Sequence, residues 1–338
     1  MKPLVRRISH KVQREARSWL KKLKKKIFPF WFANGFARKI FFKKYAWASF
    51  EYKEYLLREY IQEAGVNWLP QSFGFEISFS EEKIIVPIRS DNFQADMGLA
   101  LCVLGLDAEV KALYSKVFEY EKKHPQDAGL KILDVGANFG QNLLLFCSQS
   151  RDVTAFEPNP HCIPELERVL RANRFTPRLL NAAVGASPGE VVLRWPPGCS
   201  WFGTVSNVDH LNSMGYSEFE EVAVPIVQLD QEISTVNSRF LIKIDVEGHE
   251  LDVLQGARRL LARNDCLVVF EHSADRLEGR RLIWRFLTSL GYGICKLHAD
   301  SKNVLSLISS EEIYLLDNAP NHAAAQKNGF AKNLFRND

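Results

Sequence analysis

Three stretches of this sequence combine residue types and spacings suited to chemistry. The first is Ile132-Leu-Asp-Val-Gly-Ala-Asn-Phe-Gly140, an apolar run that meets an acid and then two glycines. A strand entering a helix through such a turn presents backbone N–H groups and a helix N-terminus at the carboxyl edge of a sheet, where doubly wound folds bind ligands. Gly136 and Gly140 would let a ligand approach the backbone closely. A dinucleotide turn of pattern G-x-G-x-x-G would need glycines at 138 and 141, where Asn138 and Gln141 stand. Asp134 would also repel a pyrophosphate, whereas it would attract a ligand carrying an ammonium and a sulfonium. The second stretch, Ala155-Phe-Glu-Pro-Asn159, puts Glu157 at the tip of the next strand, where an acid can accept hydrogen bonds from both hydroxyls of a ribose. Pro158 and Pro160 stiffen the turn that presents it.

The third stretch, Lys243-Ile-Asp-Val-Glu-Gly-His-Glu250, reads as a buried strand turning into a helix. Strand alternation sends Ile244 and Val246 into the core and Lys243, Asp245 and Glu247 the other way. Asp245 can hold a cofactor ammonium or orient an acceptor hydroxyl, and His249 can serve as general base. The plainer reading is that Glu247 and Glu250 complement the dipole of the following helix. Glu271 and His272 end the next strand at the same edge and complete the catalytic candidates. Asp245, His249, Glu271 and His272 include metal-ligand types, but no spacing defines a set, and no metal is expected. Ser200-Trp-Phe-Gly-Thr204 reads as an acceptor lid or as packing.

The elements that must position these residues follow from periodicity. Strands are predicted at Lys131–Asp134, Val153–Phe156, Arg178–Leu180, Phe240–Ile244 and Cys266–Phe270. Helices are predicted between them at Gln141–Ser148, Pro164–Asn173 and Leu251–Ala262. That alternation implies parallel strands with right-handed crossovers. Glu190–Trp195 and Val222–Leu229 break it as an antiparallel excursion carrying the loop Pro196–Met214. A helix at Arg280–Leu290 and strands at Ile294–Leu297, Leu305–Ile308 and Ile313–Leu316 would complete the sheet. Upstream, the pattern predicts a helix at Tyr52–Ala64, strands at Phe75–Phe79 and Ile84–Ile88, and helices at Ala95–Leu104 and Glu109–Tyr120. The breaker cluster at 124–129 is the predicted domain boundary. The domains expected are a basic and aromatic arm (1–50), a helical and short-strand lead-in (51–129), a catalytic domain (130–316) and a frayed polar tail (317–338).

Charge is distributed unevenly along the 338 residues. Residues 1–44 hold fifteen Lys and Arg against Glu15 alone, a charge of +14, so the remainder stands at −10 within a total of +4. Ten aromatics from Phe28 to Phe50 follow the basic run. A polybasic helix beside an aromatic wedge can lie on an anionic membrane surface, while the bland reading is a solvated basic face over packed rings. Nothing resembling a nucleic-acid module accompanies the charge, so no nucleic-acid partner is expected. The six cysteines lack metal or disulfide spacing, and no apolar run is long enough to span a membrane. These features place the protein in the cytoplasm, with the arm able to reach the inner face of the membrane.

The motifs Asp-Val-Gly-Ala-Asn-x-Gly, Phe-Glu-Pro-Asn-Pro, Asn181-Ala-Ala-Val-Gly and Leu241-Ile-Lys-Ile-Asp-Val-Glu-Gly-His-Glu250, in this order, resemble the FkbM family of S-adenosylmethionine-dependent methyltransferases. The resemblance covers about residues 130–316. It implies a class I methyltransferase fold, an α/β Rossmann-like, doubly wound, mostly parallel seven-stranded sheet, here with an N-terminal helical extension. It also implies O-methylation of a hydroxyl on a sugar, glycan or natural product. Carried onto this sequence, it sets Asp134, Gly136, Asn138 and Gly140 against the cofactor's methionine part, Glu157 against its ribose, and Asn181 and Ala182 beside its adenine. Transfer to nitrogen or a carboxylate, or a scaffold that binds cofactor without turnover, are the alternatives. The arm generates a prediction of its own. Full-length protein should sediment with anionic vesicles, less so as salt rises, and a chain lacking residues 1–44 should not sediment. Equal binding to neutral vesicles in a sedimentation assay would contradict it.

Overall fold

A computed structural model of the chain describes residues 72–89, 91–105, 107–125, 129–200, 203–205, 208, 212, 215–271, 277–299, 304–326 and 328–335. The basic arm, the Tyr52–Ala64 helix, His272 and the Trp201-Phe202 pair lie outside them. The chain divides into two compact units, Met1–Phe75 with Val86–Leu106, and Glu76–Ile85 with Asp107–Asp338. Strands β1 (Ser72–Phe79) and β2 (Glu82–Arg89) come first, followed by helix α1 (Phe93–Gly105) and helix α2 (Ala108–Lys123). In the first unit, buried Asp96 receives Arg89 through its backbone N–H at 2.7 Å and its guanidinium at 2.9 and 3.0 Å. In the second unit, Asn173 brackets Ile85, accepting its N–H at 2.6 Å and donating to its carbonyl at 2.7 Å.

The second unit continues with β3 (Leu130–Val135), α3 (Leu143–Gln149), β4 (Val153–Phe156), α4 (Ile163–Asn173), β5 (Arg178–Leu180) and β6 (Ala183–Val184). There follow β7 (Gly189–Trp195), β8 (Glu220–Val227), the short α5 (Leu229–Glu232), β9 (Arg239–Ile244), α6 (Glu250–Gly256), α7 (Arg258–Arg263) and β10 (Asp265–Glu271). Helix α8 (Leu277–Ser289), β11 (Tyr292–Leu297), β12 (Leu305–Leu307), α9 (Glu311–Leu316) and β13 (Asn321–Gln326) complete it. Eight strands form one sheet in the order β12-β11-β13-β10-β9-β3-β4-β5. The pairs from β10 to β5 are parallel, and β13 runs antiparallel between β10 and β11. Chain order reverses between β3 and β9, which is the topological switch point where open α/β sheets bind ligands. This is the doubly wound Rossmann-like methyltransferase architecture the motifs imply, with β12 added antiparallel at one edge as an eighth strand.

Register fixes which side chains share a face. Asp134 of β3 lies opposite Lys243 of β9, and Lys243 lies opposite Val269 of β10. Their neighbours Leu133, Val135, Ile242, Ile244, Val268 and Phe270 belong to the core that also takes Val253, Leu254, Leu261, Ile283 and Leu287 from the helices. Asp134 and Lys243 therefore project from the opposite face, as period-two alternation requires.

The structure corrects four expectations. The boundary expected at 124–129 lies instead at Asp107, because α2 belongs to the same unit as the sheet; Glu121 on α2 pairs with Arg239 at the start of β9 at 2.9 Å. The helix expected over Leu251–Ala262 is two helices that meet at Gly256 and Ala257. A Cβ at Gly256 would stand 2.1 Å from the Gly185 carbonyl oxygen, so this bend brings helix and loop into direct backbone contact. Ile313–Leu316 is helical, because Ser310 caps the segment by accepting the Ile313 N–H and two glutamates follow at the positive end of the helix. Its place in the sheet is taken by β13, from the segment expected to be a frayed tail. Ala323, Ala324 and Ala325 of β13 are buried, and alanine is a weak strand former in isolation.

Because β13 fills the space between two strands, removing residues 318–338 should leave two unpaired inner edges and prevent folding. Thermal melting followed by circular dichroism should show no cooperative transition. A truncated protein that melts like the full chain would make the segment a true tail.

Candidate active site

The turn after β3 is held by the ends of both neighbouring strands. Gly136 and Ala137 donate their N–H groups to the Phe156 carbonyl at 2.9 and 3.0 Å, and Asp245 donates its N–H to the Val135 carbonyl at 3.0 Å. Gly136 has φ +83°, and a Cβ there would lie 1.9 Å from the Asp245 carbonyl oxygen. Glycine is thus required first by the approach of another strand's backbone. Asn138 is left-handed at φ +52°, and its N–H points at Glu157 Oε2, 2.7 Å away. Glu157 Oε1 accepts the Asn159 N–H at 2.8 Å. Asn159, itself buried, accepts the His161 N–H and donates through Nδ2 to the Ser200 carbonyl at 2.8 Å. Asn181 donates to the carbonyls of Glu157 and Pro158 at 2.8 and 2.9 Å, so it staples the Glu157 turn, and Ala182 is buried beside it.

Charge gathers beneath this turn. Asp134 is 0% exposed, and neither carboxylate oxygen has a hydrogen-bond partner. Burial lifts its pKa to about 7 against the pull of Lys243, with Asp245 adding to the rise. Glu157, 6% exposed, is likewise raised to about 7 by burial, although the Asn159 and Asn138 N–H groups favour its charged form. Lys243 is 3% exposed and ion-paired with Asp245. Burial opposes its charge, but Asp245 and Asp134 outweigh that cost and hold its pKa above the usual lysine value. Glu271, at the end of β10, is pushed up to about 8 by burial and then by Asp245. A carboxyl raised this far is suited to proton transfer near neutral pH.

The structure brings Asp134, Gly136, Asn138, Gly140, Glu157, Asp245 and Glu271 to one edge of the sheet. His249 stands at the start of α6 with Nδ1 3.1 Å from Asp252 Oδ2. Glu250 is buried and accepts the Gly248 N–H at 2.9 Å, which is the helix-start role weighed from sequence. Ser200 and Thr204 keep the described ends of the insertion loop near this edge: Ser200 is bonded to Asn159, and Thr204 exchanges backbone hydrogen bonds with Arg194. Two residues of this neighbourhood escaped sequence reasoning. Asp107, whose pKa is raised by burial, precedes α2 with no motif around it, and its Oδ1 is 3.3 Å from Asn321 Nδ2 of β13. Tyr114 is fully buried on α2, and the charges of Asp134, Asp107 and Asp245 help to keep its hydroxyl protonated after burial itself. Among the described residues, no group of three or more His, Cys, Asp or Glu is arranged to hold a metal ion, no helix is long and apolar enough to cross a membrane, and all six cysteines are free thiols.

A glycine turn at the switch point of a doubly wound sheet, with acids at four neighbouring strand ends, defines a Rossmann-like α/β domain. Residues 134–294 match the family model described as the methyltransferase FkbM domain. Over these residues, just under half of the chain, the protein is similar to the FkbM methyltransferases. The hexuronic acid methyltransferase AglP of Haloferax volcanii is 28% identical over 174 residues, which are 51% of this chain and 68% of that protein. Among solved structures, the FkbM methyltransferase of Methylobacillus flagellatus is 17% identical with a TM-score of 0.38, over 70% of this chain. The chain spans 60% of that protein's length. The plantazolicin methyltransferase BpumL, solved with SAH, is 12% identical with a TM-score of 0.34, over 68% of this chain and 89% of its own.

The Gly136 contact yields a stability prediction. Gly136→Ala should cost about 2–5 kcal/mol, from left-handed strain together with overpacking against Asp245. Gly198→Ala has the same positive φ, but its Cβ would meet nothing within 4 Å, so it should cost only about 1–2 kcal/mol. Denaturant melts that shift equally for the two variants would contradict the close approach.

Proposed function

We propose that the protein transfers a methyl group from S-adenosylmethionine to a hydroxyl of a sugar or glycan. The observation that carries this reading is the pairing of Asn138 with Glu157. It locks the glycine turn of β3 to the acid at the tip of β4, leaving further lone pairs on that carboxylate for a ribose diol. The residues fit this cofactor in two further respects. Asp134 is a buried carboxylate without a hydrogen-bond partner, a costly state that a cationic ligand beside it would relieve. The turn above it also lies at the carboxyl edge, where Asn138 and Gly140 have positive φ.

The bound cofactor supplies a methyl group already activated on a sulfonium, which leaves as a neutral thioether. The chain's own share is to orient the acceptor and accept one proton. Glu271 and Asp245 are the groups best suited to this: they end adjacent parallel strands, both are partly open, and Glu271 is raised by burial and Asp245 into the range of a working base. The neighbouring acids disfavour an ionised carboxylate as acceptor and favour a neutral hydroxyl. The similarity to a hexuronic acid methyltransferase supports a sugar acceptor but does not bear on the choice between its hydroxyl and its carboxylate.

Calorimetry with S-adenosylhomocysteine tests the cofactor half of the proposal. The protein should bind it, and Glu157→Ala, if folded, should weaken binding by about 1.5–3 kcal/mol. Unchanged affinity would remove Glu157 from the site. Transfer of labelled methyl to hydroxylated sugars but not to amines tests the acceptor half, and label only in amines would overturn it.

A further inference from the structure

We propose that Lys243 is a positioning residue that keeps Asp134 ionised, so that the turn above it can receive a cationic ligand. This rests on the cofactor reading above and names the group that makes it workable.

Strand register brings the charges together. Asp134 and Lys243 are direct partners across the β3–β9 pair, on the face opposite the helical core that takes Ile244, and Asp245 follows two residues after Lys243 on that same side. The ammonium is ion-paired with Asp245 and buried at 3% exposure, while Asp134 beside it is fully buried. Each neighbouring element adds acid around it. Asp134 comes from β3, Asp245 from the end of β9, Glu271 from β10 and Asp107 from the start of α2, while Asp134 also acts on Glu157 of β4 and Glu247 on Glu271. The buried hydroxyl of Tyr114 on α2 feels Asp134, Asp107 and Asp245 and carries no charge of its own. Among the described residues that act on Asp134, Lys243 is the cation.

Isolated carboxylates do not stay charged away from water, and a buried acid without a counter-ion takes a proton instead. A protonated Asp134 offers a cationic ammonium a dipole rather than a charge. With Lys243 present, two carboxylates share one ammonium, and one negative charge is left over for a ligand. Without it, the site reaches neutrality by binding protons, and a cationic ligand must displace them.

A purely structural ion pair would alter stability but leave the pH dependence of ligand binding in place. The experiment is therefore S-adenosylhomocysteine affinity by calorimetry from pH 6 to 8.5 on the full chain, with folding checked by circular dichroism. Wild-type affinity should fall as pH drops below about 7, as Asp134 and Glu157 take up protons. In Lys243→Met this acid limb should move up by about one pH unit or more, with affinity at pH 7 lowered about tenfold and partly restored at pH 8.5. Lys243→Arg should keep the wild-type limb. Asp134→Asn should bind weakly with the limb flattened. The double variant D134N/K243M, which removes one charge of each sign, should bind no more weakly than D134N, and it keeps the proposal testable if Lys243→Met does not fold. An unmoved limb in Lys243→Met, or a double variant whose losses add, overturns the role of Lys243 alone. A wild-type protein that binds no S-adenosylhomocysteine at any pH overturns the proposed function as well.

Discussion

Burying charge is expensive, and the architecture of this domain depends on how it does so at one place. At the switch point between β3 and β9, a carboxylate that meets no water lies one strand from an ammonium that meets almost none. Replacing such groups by apolar ones of similar size is often neutral or stabilising in a buried layer of this kind. Their presence at the carboxyl edge of a parallel sheet is therefore hard to explain by stability. It agrees with the general pattern that burial and opposed charges are concentrated where ionisation has work to do.

The rest of the edge is built around that charge by backbone contact. The Gly136 turn touches the Asp245 carbonyl, hangs by two N–H groups from the Phe156 carbonyl, and is tied by Asn138 to the Glu157 carboxylate. Asn181 and Asn159 then fix the Glu157 turn from two sides, and Asn159 carries the connection on to the insertion loop at Ser200. Three strand ends and one loop thus share a chain of hydrogen bonds. Preorganisation of this kind is what positioning catalysis requires, because the methyl donor needs little activation from the protein.

Much of this was legible in the sequence, for identifiable reasons. The strands from β3 to β10 are mostly short apolar runs bounded by turns: β4 and β5 keep the expected bounds, β3 and β7 to β10 depart by one or two residues, and only the two-residue β6 was not expected. The Asp134, Glu157 and Asp245 positions carry motifs whose spacing already implied one edge. What was not legible depends on contacts between distant segments. The burial of Lys243 follows from register with Asp134, which a single strand cannot reveal. Asp107 reaches the neighbourhood only because α2 and β13 pack with the sheet. Strand β13 was hidden because His-Ala-Ala-Ala has neither β-branched residues nor alternation, and its alanines become strand only between two existing neighbours. The α9 segment did carry a signal, Ser310 followed by two glutamates, which outweighed the apolar run that suggested a strand.

The account stands on one claim: the Gly136–Gly140 turn and Glu157 together form the cofactor site. A crystal structure of the protein with S-adenosylhomocysteine tests it most directly. The account predicts the ribose hydroxyls within hydrogen-bond distance of Glu157, with the amino-acid end of the ligand over the turn above Asp134. Ligand density at another place on the chain, with this turn and Glu157 untouched, would contradict it.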